Sequence, residues 1–418
     1  MFRFAFIYWI GIVLVLCAGE DTGVSAFGKV VGPIWNPIVV WIGKHVLGIA
    51  YELHPGVNGS VDKTTDWIGV LVAAVAAAVG SLVWALLDHR RRHDDQLRSL
   101  LRVILRYTAA CVVLGYGLSK LLILQFPQPG VGRLLERFGD SSPMGLVWTF
   151  MGASPVYVFF AGASETLGAV LLLFRRTTTL GALIVAMLMV NVSMLNLCYD
   201  VCEKISSLHL VGMCVFLLLP DLGNLANVVV FRRPTQPAAD EPALFGRRLR
   251  RTRWILKCVV IGYMVIFDLV ADLPRFFQSN SHTWCHGYWG VTSFTRDGQN
   301  VPPIVTDATR WGRIRFQDTP DRLLVRWRFM DESLGVLYTV TLDDTRKTMT
   351  LTPSDLEPPK HPTGPVTFHY TRTGPDQLAL EGAVDAATLS VRLERLDGNN
   401  MLLLNRGFHW INEEPFSR

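Results

Sequence analysis

The apolar residues of this chain gather into seven runs, at 4–18, 67–87, 103–124, 148–174, 178–197, 206–222 and 254–272. Most approach the roughly 20 residues a helix needs to cross a bilayer, so the pattern predicts about seven transmembrane helices. Past Pro274 the runs shorten and begin to alternate, as in Arg313-Ile-Arg-Phe316, Leu323-Leu-Val-Arg-Trp327, Val336-Leu-Tyr-Thr-Val-Thr-Leu342, Thr348-Met-Thr-Leu351 and Val366-Thr-Phe-His-Tyr370. A period of two predicts strands. Between them, Asp318-Thr-Pro-Asp321, Asp343-Asp344, Thr373-Gly-Pro-Asp376 and Asp397-Gly-Asn-Asn400 supply the residues that tight reversals need. About eight to ten strands at this spacing predict a meander closed into a barrel or sandwich. The fold class is a membrane all-α helical bundle joined to a C-terminal all-β barrel or sandwich.

Four segments follow: N-terminal helices with an outer amphipathic stretch (1–102), a helical membrane core (103–233), a cytoplasmic basic linker with the last span (234–279) and an extracytoplasmic β domain (280–418). The first run reads as a retained helix, while Arg3 ahead of it and Val24-Ser-Ala26 after it also describe a secretory signal with its cleavage site. Residues 30–50, with Trp35, Trp41, Val39, Val40 and Val46 around Lys44 and His45, read as an amphipathic helix on the outer interface. Residues 220–231 play the same part on the inner face.

Composition agrees with a mixed molecule: half of the 418 residues are hydrophobic and only 18% are charged, with a mean hydropathy of +0.30. The net charge of +5 resides largely in arginine clusters. These are Arg90-Arg-Arg92 with Arg98 and Arg102, then Arg175-Arg176, then Arg232-Arg233 with the Arg247 to Arg253 cluster. Each abuts an apolar run and follows every second one, which is topogenic and does not indicate nucleic acid as a partner. By the positive-inside bias the N-terminus is cytoplasmic and the chain beyond about residue 273 lies on the opposite side.

Candidate chemistry concentrates between residues 116 and 209. Tyr116 and Lys120 are four apart and share a helix face. Lys120 either snorkels to the headgroups or faces inward toward a carboxylate or an anion. Glu165 lies mid-span between Gly162 and Gly168, small residues that let a neighbouring helix approach. It is either hydrogen-bonded across helices or acts as a proton acceptor or ligand contact. If the fifth span stays helical at its outer end, Asn196, Asp200 and Lys204 stack at four-residue steps, with Tyr199 adjacent and His209 entering the next span. An Asp200–Lys204 pair is then expected. With Lys120 and Asn191 these residues describe a polar cup opening outward, with Lys120, Glu165, Asp200 and Lys204 as its chemical groups and Tyr116, Asn191, Asn196, Tyr199 and His209 as its binding groups. Asp268 and Asp272 share a face of the last span, and Asp268 needs a partner that the sequence does not identify.

Cys198 and Cys202 have three residues between them, one more than a thioredoxin-type pair, so a redox pair, a structural disulfide and free thiols all remain open. Cys111, Cys214 and Cys258 read as buried apolar residues. His282, Cys285 and His286 are close in sequence, but without another ligand cluster no metal site is assigned. Phosphate-binding glycine loops, nucleophile elbows and helical zinc motifs are lacking, which argues against hydrolase and nucleotide-driven mechanisms.

Gln125-Phe-Pro127, Gly139-Asp-Ser-Ser-Pro-Met-Gly145, Trp148-Thr-Phe-Met-Gly152, Leu172-Leu-Phe-Arg-Arg-Thr-Thr-Thr-Leu-Gly181 and Asn191-Val192 with Asn196, Tyr199 and Asp200 resemble the DoxX-like family of bacterial membrane proteins. The larger members append an extracytoplasmic domain. The resemblance implies a four-helix core made of spans three to six, residence in the bacterial cytoplasmic (inner) membrane, and, in some branches, association with thiol, sulfur or quinone redox chemistry. In the β segment, Gly287-Tyr-Trp289 resembles the Gly-x-Trp start of lipocalin-like domains. That likeness implies a Trp plugging one barrel end beneath an Arg from the last strand, for which Arg406 is the candidate.

Two functions from different classes emerge. The first is a redox-associated accessory protein whose cup binds a quinone or similar amphiphile and whose barrel docks a periplasmic or membrane redox protein; in it the chain is a component of a membrane oxidoreductase. The second is a non-catalytic lipid-binding or envelope assembly protein. Membrane lipids are partners in both.

Overall fold

The computed structural model describes residues 2–18, 25–55, 60–88, 94–235, 262, 283–319, 321–357, 364–384 and 387–406. The chain forms two compact units, one of residues 1–128 and 141–275 and the other of 129–140 and 276–418. The expected span 254–272 with Asp268, Asp272 and Cys258, the Arg90 to Arg92 and Arg247 to Arg253 clusters, and His282 lie outside the described residues.

The helical unit runs α1 (Phe2–Ala18), α2 (Ser25–His45), α3 (Thr64–Leu87) and α4 (Asp94–Leu121). After α5 (Val131–Leu134), which belongs to the other unit, it continues with α6 (Pro143–Gly152), α7 (Pro155–Leu173), α8 (Thr178–Cys198), α9 (Lys204–Leu218) and α10 (Leu222–Val229). Ser142 and Ser154 accept hydrogen bonds from the Gly145 and Tyr157 amides, and a proline follows each, so α6 and α7 start where cap chemistry directs.

Among the described residues, four stretches are long and apolar enough to cross a membrane: Thr64–Leu87, Pro155–Leu173, Arg175–Cys198 and Lys204–Val229. Phe2–Leu16 is apolar but shorter. Of the expected third span, 103–124, residues 103–121 lie in α4, a 28-residue helix. Arg98, Arg102, Arg106 and Lys120 dilute its apolar character. It is nonetheless central, because Leu101, Leu105, Ala109 and Val113, one every four residues, are fully buried in the bundle core. The 30–50 segment is helical as far as His45 and packs Val39 with Leu53 and Ile68.

The β unit is built from β1 (Gly287–Arg296), β2 (Gln299–Asn300), β3 (Trp311–Asp318), β4 (Leu323–Phe329), β5 (Tyr338–Asp343), β6 (Thr348–Pro353), β7 (Val366–Gly374), β8 (Gln377–Val384) and β9 (Ala387–Arg395). Every pairing is antiparallel, and β1 pairs with both β3 and β9, which closes eight strands into a barrel. The two-residue β2 hairpins onto the end of β1. A bulge between Val291 and Ser293 shifts the register of β1 against β9, so that Trp289 and Phe294, five residues apart, are both buried.

Inward positions carry Trp289, Phe294, Trp311, Phe316, Trp327 and Phe368, all buried. Trp311 stacks on Trp327 at 4.4 Å between ring centroids, and Trp327 on Tyr338 at 5.2 Å, so side chains fill the interior as expected at eight strands. Trp289 does plug one end, but the arginine over it is Arg395 of β9, 4.4 Å from the ring centroid. Arg395 also donates to the Trp284 carbonyl at 2.6 Å and to the His286 carbonyl. Arg406 follows a short helix, Leu402–Asn405, beyond the last strand, which corrects its expected role. His286 is engaged by Asp318 at 3.2 Å.

Candidate functional site

The helical unit's polar residues assemble where α4 crosses α7. A Cβ at Gly162 would stand 2.8 Å from the Gly117 carbonyl oxygen and 2.8 Å from the Lys120 Cβ, and one at Gly117 would stand 2.4 Å from Thr166 Oγ1. Only glycine permits this approach. Lys120 and Glu165 each lie three residues beyond one of these glycines and meet above the crossing, Nζ to Oε2 at 2.7 Å. Both are buried, at 6% and 3% exposure. The Lys120 ammonium also lies 5.6 Å from the Tyr116 ring centroid and 5.9 Å from that of Phe126.

From Tyr116 the polar seam continues to the turn between α8 and α9. The Tyr116 hydroxyl donates to the Glu203 carboxylate at 3.1 Å. Asn196 Nδ2 donates to the Glu203 carbonyl and to Ser207 Oγ, both at 3.0 Å. These contacts clasp the end of α8 to the start of α9.

The expected helical stacking of Asn196, Asp200 and Lys204 does not occur. Helix α8 ends at Cys198, and Asp200 takes a left-handed backbone with φ of +50°. The Asp200–Lys204 pair forms across the resulting turn, at 3.1 Å, with Asp200 largely exposed. Lys204 Nζ lies 3.7 Å from a second carboxylate, Asp62. Asp62 accepts the backbone amides of Lys204 at 2.7 Å and Ile205 at 2.9 Å, so a residue far back in the chain caps α9.

Three expected binding residues stand apart from this seam. Asn191 is exposed, on the face of α8 opposite the buried Met189, Ser193 and Asn196. Tyr199 is exposed at the end of α8. His209 turns to α1: its Nδ1 faces the Ile205 carbonyl at 2.7 Å and must donate, which leaves Nε2 to accept from the Tyr8 hydroxyl at 2.9 Å. The structure thus brings together Tyr116, Lys120, Glu165 and Asn196, with Asp200 and Lys204 at the rim. To these it adds Glu203, Ser207 and Asp62. Glu203 sits just before α9, where a carboxylate is a recognisable helix-start signal, whereas Asp62 carries no local cue at all.

Chemically, the seam offers a buried ammonium–carboxylate pair that can exchange a proton, a phenol hydrogen-bonded to a second carboxylate, and an amide anchored between two helices. Two charges taken out of water hold together only while both are present. Cys198 closes α8 at an exposed position, and the Cys202 carbonyl accepts from the Val61 amide at 3.2 Å.

An apolar helical bundle with a charged pair buried at a glycine crossing, together with a closed antiparallel barrel, defines a multi-pass membrane protein with an appended β unit. A Bacillus subtilis (strain 168) protein named Uncharacterized protein YwoB is 40% identical over 108 residues, 25% of this chain and 67% of that protein. The chain belongs to the same family as YwoB. No protein-family model and no solved structure matches it.

Proposed function

We propose that the helical unit holds the head group of a quinone or similar amphiphile beside Tyr116, Lys120 and Glu165, and that the protein serves a membrane redox system as an accessory subunit. The observation that carries this reading is the buried Lys120–Glu165 pair, which joins α4 to α7, a helix long and apolar enough to cross a membrane. Ionisable groups are costly there and mark function by default. Lys120 supplies a donor for a carbonyl oxygen, Glu165 exchanges a proton, and Tyr116, whose hydroxyl is held by Glu203, lines the site beside the Asp200–Lys204 rim. Electrons come from a protein partner docked by the β unit. The resemblance to the DoxX-like family supports this assignment. The arginine clusters support a cytoplasmic N-terminus in the bacterial inner membrane, with the barrel on the outer side.

The test is mass spectrometry of small molecules extracted from detergent-purified protein, comparing wild type with Glu165→Gln and Lys120→Met. A quinone retained by wild type and lost in both variants supports the reading. Bulk phospholipid alone, unchanged by the substitutions, overturns it. The tight Gly117–Gly162 crossing favours a second reading, in which the pair locks two helices of a lipid-holding assembly protein. That reading predicts loss of partner or lipid binding with membrane redox activity intact.

A further inference from the structure

The outer face of the barrel carries an arrangement that its folding does not call for. On β3 and β4, inward Ile314, Phe316, Val325 and Trp327 alternate with outward Arg313, Arg315, Arg326 and Arg328. The register sets Arg313 opposite Arg328 and Arg315 opposite Arg326. Like charges directly opposite one another destabilise a sheet, and here two such pairs stand side by side. Alternation requires only that these positions be polar.

These four arginines line a cavity of about 490 Å³, together with Arg133 and Tyr288. Residues 130–136, which belong to the same unit, form its other wall, and Arg313 donates to the Leu135 carbonyl at 3.0 Å. Carboxylates neutralise the cluster only in part. Among the described residues Glu332 serves both Arg313 and Arg328 and Glu357 holds Arg326, so the four guanidiniums of β3 and β4 meet two carboxylates. Arg315 has no ion pair among the described residues; its guanidinium lies 5.4 Å from the Tyr288 ring centroid. Arg326 keeps a buried Nε with no hydrogen-bond partner among them. A buried donor left unsatisfied costs stability until an acceptor arrives.

We propose that this cavity binds a phosphate-bearing anion, held by the guanidinium forks of Arg315, Arg326 and Arg328. Planar guanidinium pairs fit phosphate oxygens two at a time, and the residual positive charge calls for a dianion. A soluble phosphate and a lipid phosphate headgroup share this chemistry, so the experiment separates them. The site lies in the barrel unit and is independent of the quinone reading.

The experiment is calorimetric titration of the full chain in neutral detergent, at fixed ionic strength, with inorganic phosphate and separately with dihexanoyl phosphatidic acid. Saturable binding of inorganic phosphate, with phosphatidic acid no tighter, supports the site with a soluble ligand. Binding of phosphatidic acid alone supports it with a lipid headgroup. Binding of neither overturns it. Arg315→Gln with Arg328→Gln should weaken binding about tenfold or more, since charge-assisted hydrogen bonds are lost. Arg346→Gln, at an exposed turn where Arg346 pairs with Asp343, should leave it unchanged. Glu332→Gln removes a competing carboxylate and should tighten binding several-fold, a gain that misfolding could not mimic. Unchanged affinity in both the double variant and Glu332→Gln overturns the assignment.

Discussion

The two units place their charges in opposite ways. In the helical unit Lys120, Glu165, Arg106 and Asn196 are buried, while α3 turns Val75, Val79, Leu82, Leu86 and Leu87 outward. In the barrel Trp289, Phe294, Trp311 and Phe368 are buried, and arginines alternate outward along β3 and β4. The same residue types are sorted by what surrounds them. Lipid accepts exposed leucine and forces ionisable groups inward to find one another, whereas water rewards the reverse. An interior charge in the helical unit therefore signals a constraint, and an interior aromatic in the barrel signals only packing.

The sharpest way to break that comparison is to remove one interior charge. Lys120→Met leaves Glu165 buried without its partner and should cost about 3–5 kcal/mol in a detergent unfolding titration. Lys120→Met combined with Glu165→Leu should recover most of that loss, because a well-packed apolar pair replaces both charges. If the single variant is as stable as wild type, the pair is not what holds α4 against α7.

The corresponding cut in the barrel is Trp289→Ala. It removes the plug beneath Arg395, and its expected cost of about 3–4 kcal/mol comes from lost burial and the cavity left behind. Near-ultraviolet circular dichroism of the full chain should lose aromatic signal with it. Replacing Arg406 should not produce that change, since Arg395 is the residue over the ring. A smaller effect tests the helical unit's rim. Asp62→Ala frees the amides of Lys204 and Ile205 and should destabilise by about 1 kcal/mol, read as faster hydrogen exchange in the first turn of α9.

How much of this was legible beforehand differs between the units for a physical reason. Strand alternation is local, so β3 to β7 and their turns could be read directly, whereas the role expected of Trp289 came only from the Gly-x-Trp likeness to lipocalin-like domains. The arginine was misplaced because the last strand ends at Arg395, and the Asn405-Arg406 stretch after it resembles a strand end only by its position in the chain. In the helical unit Lys120 and Glu165 stood out as costly, but their pairing depended on a crossing made by Gly117 and Gly162, which periodicity does not encode. The expected run of Asn196, Asp200 and Lys204 assumed a helix that ends at Cys198. Asp62 was invisible because its partners are supplied by tertiary structure, and residues 129–140 looked like membrane core although they fold with the strands.

The smallest effect is a pH dependence in the barrel. Burial pushes the Cys285 thiol from 9.0 up to about 12. Burial, aided by the hydrogen bond to Asp344, pushes the Tyr370 hydroxyl up to about 12. Both groups are neutral when protonated, and the folded barrel holds the proton more tightly than the unfolded chain does. Their contribution is therefore fully present below about pH 9 and is lost as pH rises from there toward 12. At pH 9.5 the loss from Cys285 alone should be under about 1 kcal/mol, read as a lowered thermal midpoint of the barrel transition. Cys285→Ala should flatten the part of this slope that begins near 9.0 and leave the part from Tyr370. A slope unchanged by that substitution would mean that the alkaline sensitivity resides elsewhere, and that the barrel's interior does not shield its thiol as Trp289 and Arg395 above it suggest.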